Sequence, residues 1–133
     1  MALISSKGGP LLGSIEVPGD KSISHRALIL GALAIGETKI TGLLEGEDVL
    51  ATAAAMRQLG AIIERNQKDE SNIWTVSGRG VGGLREPAQI LEMGNSGTAA
   101  RLLLGLLATH SFETTMIGDK SLSSRPMERV MSP

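Results

Sequence analysis

The sequence predicts an α/β fold made of repeated strand and helix units, and three observations support this prediction. Segments in which apolar and polar residues alternate are followed by segments in which apolar residues recur every three or four positions. Glycine-led turns separate these segments. Two stretches of the chain also resemble each other, which is typical of a structural repeat. With 133 residues, 41% of them hydrophobic, the chain can bury one modest core.

The first predicted unit covers about residues 13–77 and has the order strand, helix, strand, helix, strand, strand, abbreviated βαβαββ. Its elements are predicted at Gly13–Val17, Arg26–Ala34, Thr38–Leu43, Glu47–Leu59, Ala61–Arg65 and Ile73–Ser77. The polar run from Asn66 to Glu70, which includes Lys68, is typical of a solvated turn between the last two strands.

A second, truncated unit is predicted at about residues 90–133, after a glycine-rich connection at Gly78–Gly83. Its elements are a strand at Ile90–Glu92, a helix at Gly97–Ala108, a strand at Phe112–Ile117 and the start of a further helix. Because repeated units bury their apolar faces against one another, we expect the unfinished unit to leave such a face exposed.

The two units share short blocks of sequence. Gly19 precedes Arg26 by the same interval as Gly94 precedes Arg101. Two hexapeptides also resemble each other, with an offset that is one residue larger: Glu37–Gly42 and Glu113–Gly118. Chance similarity between two strand-turn-helix units is the alternative to a true repeat.

The run from Pro18 to Arg26 lies where the first strand turns into the first helix. Asp20 or Ser22 is the expected N-cap. The first amides of a helix lack intrahelical partners and attract phosphate or carboxylate. Ser22 and Arg26, four residues apart, share one face, with Lys21 just before them. A nucleotide P-loop is excluded by the glycine spacing, and the alternative is a capped surface helix with solvated charges.

A second turn with similar residues opens the predicted helix at Gly97. Asn95 can offer its amide to a carboxylate or hydroxyl, and Arg101 lies one turn beyond Gly97. The alternative is an ordinary N-cap at Asn95 or Ser96, with Gly97 serving helix packing.

A third turn follows the last predicted strand. Pro126 is predicted at the first position of a helix, with Ser124 or Arg125 in the cap region. Arg125 would then point at an anion, because arginine suits bidentate recognition of phosphate or carboxylate. The alternative is a solvated surface arginine.

Several other polar residues have structural explanations. We expect His25 to support the first turn rather than transfer protons, and Trp74 to be a packing anchor on a strand. Glu45, Glu47 and Asp48 lie at a predicted helix start, where acidic residues favour the positive end of the dipole without any catalytic role.

Composition excludes several functional classes. A net charge of −1 and only two aromatic residues, Trp74 and Phe112, argue against nucleic-acid binding. The chain has no cysteine and two histidines, so we expect no disulfide and no metal. It has no apolar run of membrane-spanning length and no signal-peptide pattern, so we expect a cytoplasmic protein without a membrane partner.

Three of these motifs together carry a specific resemblance. The runs Gly19–Arg26, Gly94–Thr98 and Arg125–Pro126 closely resemble the 5-enolpyruvylshikimate-3-phosphate synthase family. The resemblance extends over about residues 13–133 and includes the segment Leu43–Val49 and the pair Gly118 and Asp119.

The resemblance implies an enolpyruvyl transferase of the shikimate pathway, which serves aromatic amino acid biosynthesis. Members transfer the enolpyruvyl group of phosphoenolpyruvate to the 5-hydroxyl of shikimate 3-phosphate and release phosphate, without a metal or organic cofactor. By motif, Lys21 would contact both substrates and take part in catalysis, while Ser22 and Arg26 would hold shikimate 3-phosphate.

The same resemblance implies a phosphoenolpyruvate pocket at the second and third turns. Asn95, Gly97 and Arg125 would line it, and Arg101 would support it. The inhibitor glyphosate would bind in this pocket, and a methyl group at Gly97 would exclude glyphosate more than phosphoenolpyruvate.

The resemblance further implies two domains of βαβαββ units arranged as an inside-out α/β barrel, with helices inside and sheets outside. Residues 1–19 would belong to the domain that the C-terminal half completes, and residues 20–133 would be part of the other domain. The carboxylates for proton transfer would lie in that C-terminal part. We therefore expect this chain to need that part as a partner and to be inactive alone.

Two rival functions remain open from the sequence. The sister enzymes that transfer enolpyruvyl to UDP-N-acetylglucosamine share the repeat, but their first turn lacks the pattern of Asp20 to Arg26, and a common lid cysteine has no counterpart between Ser111 and Pro126. A non-catalytic anion-binding or interaction module is the alternative from a different class.

Overall fold

The computed structural model describes residues 3–66 and 72–132, which form five helices and five strands. In chain order they are α1 Lys21–Leu33, β1 Ile35–Thr41, α2 Glu47–Gln58, β2 Ile62–Asn66, β3 Ile73–Arg79, β4 Leu91–Glu92, α3 Gly97–Leu107, β5 Met116–Ile117, α4 Lys120–Ser123 and α5 Glu128–Met131. The predicted turn between β2 and β3, including Lys68, lies outside the described residues beyond Asn66.

The first unit is a three-stranded antiparallel sheet with two helices on one face. β3 lies between β1 and β2 and pairs with both. Trp74 and Val76, two residues apart on β3, are both buried, and α1 packs on this strand. A Cβ at Gly31 of α1 would lie 3.3 Å from the Val76 Cβ, so glycine lets the helix approach the sheet closely. The predicted role of Trp74 as a packing anchor is confirmed.

The second unit begins as a strand-helix-strand crossover. β4 and β5 pair in parallel, and α3 connects them. α3 packs against α2, which joins the second unit to the first. The fully buried large apolar side chains come from both units: Leu28, Val49, Met56, Leu59, Val76, Leu91, Met93 and Leu103.

The predicted opening strand at Gly13–Val17 is wrong. This stretch has no strand assignment, and Ile15 and Val17 are 88% and 71% exposed. A strand needs a neighbour for its backbone N–H and C=O groups, and within residues 3–66 and 72–132 no strand pairs with this stretch. The first unit therefore shows α1, β1, α2, β2 and β3, in the predicted order.

Pairing also sets the length of the remaining strands. The strand predicted at Phe112–Ile117 is reduced to β5, because β4 offers only Leu91 and Glu92 as partners. β3 runs beyond its predicted end into the glycine-rich connection, because Arg79 pairs with Ile35 at the start of β1.

The predicted helix start at Pro126 is wrong. α4 begins earlier, at Lys120, and Ser124 is its C-cap, with the Arg125 amide bonded to the Leu122 carbonyl at 3.0 Å. Helical backbone geometry is unfavourable for a residue that precedes a proline. Arg125 precedes Pro126, so α4 ends before it. α5 begins only at Glu128.

The α/β class is confirmed. The complete inside-out barrel and the domain boundary near residue 20 stay predictions. Across the described parts of the chain, no helix combines the length and apolarity that a bilayer crossing requires.

Candidate functional site

The N-terminus of α1 is capped by Asp20. Its carboxylate Oδ1 accepts a hydrogen bond from the Ile23 amide at 2.7 Å, and its carbonyl accepts one from the Ser24 amide at 2.9 Å. Of the two predicted caps, Asp20 is therefore confirmed and Ser22 is not. The cap leaves the Ser22 side chain available for contacts outside the helix terminus.

The three predicted residues of the first turn are all exposed. The Arg26 guanidinium donates to the Ser22 hydroxyl and, at 3.1 Å, to the Ser22 carbonyl. The Lys21 ammonium forms an ion pair with Asp48 of α2. The structure thus brings Ser22 and Arg26 together. Lys21 instead pairs across to α2, with a carboxylate that neutralises it.

The inward residues of the same turn fix its surroundings. The buried Ser24 hydroxyl donates to the Asp20 carbonyl at 2.8 Å and accepts from the Leu44 amide at 3.0 Å. His25 is fully buried, and its Nδ1 lies 2.7 Å from the Thr52 hydroxyl. Burial, and next the positive charge of Lys21, lowers the pKa of His25. His25 is a structural part of the turn, as predicted.

The loop that leads into α2 is anchored to the sheet by Glu45. Its carboxylate accepts a hydrogen bond from the Trp74 indole N–H at 2.8 Å and pairs with the Arg65 guanidinium at 2.6 Å. The Arg57 guanidinium lies 5.7 Å from the Trp74 ring centroid. Glu45 therefore has a structural role that positions the start of α2, where Asp48 lies.

The second turn is capped by Ser96. Its buried hydroxyl accepts a hydrogen bond from the Ala99 amide at 3.2 Å, so this predicted cap is confirmed. The Asn95 side chain stays outside and connects two charged groups. Its amide nitrogen donates to Asp119 at 2.7 Å, and its oxygen accepts from the Arg125 guanidinium at 2.5 Å.

Two guanidinium groups border the outer side of Gly97. A Cβ at this residue would lie 2.8 Å from Arg101 Nη1 and 2.9 Å from Arg125 Nη1. Arg101 also donates to the Gly97 carbonyl at 3.2 Å and to the Pro126 carbonyl at 3.1 Å. Arg101 therefore ties α3 to the segment after Arg125. The structure brings Asn95, Gly97, Arg101 and Arg125 together, as a single anion site requires.

Asp119 is a site residue that the sequence reasoning did not single out. It caps α4 by accepting from the Leu122 amide at 2.7 Å, and it also holds Asn95. The hydrogen bond from Leu122, followed by that from Asn95, lowers the pKa of Asp119. An aspartate that follows a strand and a glycine and directly precedes a helical turn is a recognisable cap signal, so this role could have been found.

Asp48 is the second missed residue. The sequence explained it by the helix dipole alone, and nothing local indicates that it pairs with a lysine 27 residues earlier. A depression of about 330 Å³, lined by Lys21, Gly46, Asp48 and neighbouring residues, lies beside this ion pair. The first candidate site therefore includes the start of α2 as well as that of α1.

The two turns are not superimposable copies. Asp20 and Ser96 each accept a hydrogen bond from the amide three residues later in the chain. The interval between these two caps is one residue longer than the interval between Gly19 and Gly94. Arg101 is therefore one position nearer to its cap than Arg26 is, which rotates it by about 100° around the helix. The hexapeptides share the offset of the caps, so the repeat is in register with the helices.

Comparison with known proteins gives a consistent result. A sequence model of the family described as EPSP synthase (3-phosphoshikimate 1-carboxyvinyltransferase) matches residues 5–133. The 3-phosphoshikimate 1-carboxyvinyltransferase of Novosphingobium aromaticivorans is 66% identical over 125 residues, which cover 94% of this chain and 28% of that protein. The corresponding protein of Paramagnetospirillum magneticum is 64% identical over 131 residues, which cover 98% of this chain and 29% of the relative.

A solved structure supports the same relationship. The EPSP synthase from Acinetobacter baumannii superposes with a TM-score of 0.84 at 51% sequence identity. The match covers 91% of this chain and 27% of that one. The chain thus spans little more than a quarter of the length of the relatives that it matches.

Proposed function

The chain belongs to the EPSP synthase family, and from this premise we propose that it forms the N-terminal part of the substrate site of a 3-phosphoshikimate 1-carboxyvinyltransferase. The match of the family across residues 5–133 carries the proposal. The convergence of two arginines and an asparagine around Gly97 supports it independently. Both proposed substrates, phosphoenolpyruvate and shikimate 3-phosphate, are polyanions, which suits such a site.

The proposed reaction joins the 5-hydroxyl oxygen of shikimate 3-phosphate to the enol carbon of phosphoenolpyruvate. Addition across the double bond gives a tetrahedral intermediate, in which the methylene carbon has gained a proton. Loss of phosphate and of a proton restores the double bond in the product. Preorganised cations that hold both anions in contact lower the barrier, because they position the reactants and stabilise the transferring phosphate.

In this proposal the first turn holds shikimate 3-phosphate. Ser22 and Arg26 already share a hydrogen bond and face outward together, so a phosphate oxygen can replace the carbonyl that Arg26 now also contacts. Lys21 reaches both substrates and takes part in catalysis by exchanging its contact with Asp48 for a substrate oxygen. The pair is half exposed at Lys21, and an exposed ion pair costs little to open.

The second turn holds phosphoenolpyruvate. Arg125 presents its guanidinium with Asn95 as a fixed neighbour. Gly97, which has no side chain, lets both guanidinium groups lie close to the start of α3. Arg101 supports this pocket through its bond to the Pro126 carbonyl. Glyphosate is proposed to bind here as an inhibitor.

The remaining parts of the proposal concern partners and cellular context. In this proposal the groups that transfer protons, and further ligands of the shikimate phosphate, lie in the C-terminal part of the enzyme. We therefore expect the 133-residue chain to be inactive alone and to act together with that C-terminal part. We place the enzyme in the cytoplasm.

A chimera tests the function directly. The aligned segment of the Novosphingobium aromaticivorans relative is replaced by this chain, and phosphate release from phosphoenolpyruvate is measured with and without shikimate 3-phosphate. We expect release that depends on shikimate 3-phosphate. Arg125→Ala should abolish most of it, whereas Arg129→Ala, at an exposed position on α5, should not.

Calorimetry tests the rival function from a different class, that of a non-catalytic anion-binding module. A folded chimera that binds shikimate 3-phosphate no better than inorganic phosphate, and releases no phosphate, would identify a non-catalytic anion-binding module. Activity with UDP-N-acetylglucosamine in place of shikimate 3-phosphate would identify the sister transferase instead.

A further inference from the structure

A buried polar contact joins α1 to α2 directly beneath the first turn. His25 and Thr52 are both fully buried, and His25 Nδ1 lies 2.7 Å from the Thr52 hydroxyl oxygen. The fully buried apolar residues Leu28 and Val49 lie three residues from His25 and Thr52 along α1 and α2. A hydrogen bond in such surroundings constrains the relative position of the two helices more than apolar packing does, because it is directional.

Either tautomer of His25 fits the 2.7 Å contact, and we assign the proton positions from the second contact of the Thr52 hydroxyl. It lies 3.3 Å from the Asp48 carbonyl, one helical turn earlier, and its single proton is donated there. Its oxygen then accepts from His25 Nδ1–H. Nε2 of His25 is left buried, with no hydrogen-bond partner among the described residues. An unpaired buried polar atom is costly, so packing alone does not explain a histidine at this position.

The buried contact lies in register with the exposed ion pair. Lys21 is four residues before His25 on α1, and Asp48 is four residues before Thr52 on α2, so each helix presents both residues on one face. The two helices are therefore joined by two successive pairs. His25 with Thr52 is the buried pair, and Lys21 with Asp48 is the exposed pair.

We propose that His25 and Thr52 are positioning residues that fix the N-terminal ends of α1 and α2 against each other. They thereby hold the Asp48 carboxylate at the Lys21 ammonium. An exposed ion pair on a flexible lysine is weak by itself. A rigid support below it lowers the entropy that is lost when the pair forms. Only the consequence for catalysis, a preoriented Lys21, rests on the proposed function.

The reactivity of Lys21 tests this proposal on the chain itself. Lysines are acetylated with limiting acetic anhydride, and mass spectrometry compares Lys21 with Lys39 and Lys120 in the same sample. Thr52→Val removes the hydroxyl and keeps the side-chain shape, whereas Thr52→Ser keeps the hydroxyl. We expect Thr52→Val to raise the relative reactivity of Lys21 roughly two- to fivefold, the effect of losing one exposed ion pair, and Thr52→Ser to leave it close to the original.

The outcome separates positioning from general stability. Loss of fold would raise the reactivity of all three lysines together, and the pair His25→Asn and His25→Gln then decides. Asn can replace Nδ1 as a donor to Thr52 and should protect Lys21, whereas Gln should not. The proposal is overturned if Lys21 reacts alike in Thr52→Val and Thr52→Ser within a folded chain, or alike in the two His25 variants. This readout needs no enzyme activity, so an inactive chimera would refute the proposed function and leave this inference standing.

Discussion

The two candidate turns compensate their cations in different ways. At the first turn the helix cap is the charged Asp20, and Lys21 is paired directly with Asp48. At the second turn the cap is the neutral Ser96, and Asp119 reaches Arg125 only through the Asn95 amide. The first turn therefore has two carboxylates beside its two cations, and the second has one.

This difference teaches that similar sequence motifs can have different anion affinities. Carboxylates at a helix N-terminus compete with an incoming anion for the same positive end of the dipole. An amide that bridges Asp119 and Arg125 fixes the arginine without neutralising it by direct contact. We therefore expect the second turn to bind simple anions better than the first when this chain is studied alone.

The largest effects should come from removing one arginine at each turn in the active chimera. Arg26→Ala should weaken the binding of shikimate 3-phosphate, and Arg125→Ala should weaken the binding of phosphoenolpyruvate. Each loss should be about 1.5–3 kcal/mol, because a charge-assisted hydrogen bond is removed. Substrate affinities are measured by calorimetry, with Arg129→Ala as the control. If either variant weakened both substrates equally, the assignment of one substrate to each turn would be wrong.

A methyl group at Gly97 tests how closely the second turn is packed. Gly97→Ala places a Cβ against Arg101 and Arg125, whose flexible ends can move. Overpacking of this kind lowers stability by about 1–3 kcal/mol. We expect Gly97→Ala to weaken the binding of glyphosate more than the binding of phosphoenolpyruvate. The measurement is the ratio of the glyphosate inhibition constant to the phosphoenolpyruvate Michaelis constant.

Gly105→Ala on the same helix is the matched control, because a Cβ there meets no atom within 4 Å. A ratio that is the same for Gly97→Ala and Gly105→Ala would show that residue 97 does not border the ligand.

A phosphate titration of this chain compares the turns directly. Backbone amide resonances of Asn95 and Gly97 should shift at lower phosphate concentration than those of Lys21 and Ser22. Asp48→Asn should reduce the difference in phosphate binding free energy between the two turns by about 0.2–1 kcal/mol, the usual contribution of an exposed ion pair. An unchanged difference in Asp48→Asn would mean that Asp48 does not limit the first turn.

The pH dependence of stability should separate the turns as well. The pKa of His25 is lowered from its ordinary value of 6.5, so its contribution to stability is complete above pH 6.5 and declines as the pH falls below it, because only the unfolded chain then takes up the proton. Lys21, Arg26 and Asp48 are the charged groups that act on this imidazole. The pKa of Asp119 is lowered from 3.8, so its contribution is lost only as the pH falls below that value.

Thermal unfolding midpoints at a series of pH values measure both effects. His25→Asn should make the unfolding midpoint depend less on pH just below pH 6.5. Asp119→Asn should do so only below pH 3.8. A His25→Asn profile that keeps its slope below pH 6.5 would contradict the first assignment.

The sequence predicted the elements that depend on local pattern. The helix caps at Asp20 and Ser96 and the contact between Ser22 and Arg26 follow from residue types and helical spacing. The pair of Lys21 and Asp48 could not be found, because it depends on how two helices pack. The strand at Gly13–Val17 failed for a related reason, since an extended sequence becomes a strand only where a partner exists.

Trp74 gives this chain a built-in optical probe. It is the only tryptophan, and it is buried in β3 with its indole bonded to Glu45 and a guanidinium over its ring. Its fluorescence therefore reports on the first unit and on the loop before Asp48, while the second unit contributes no indole signal. A wavelength shift on adding an anion would mark movement at the first turn, and binding at the second turn would remain invisible to this probe.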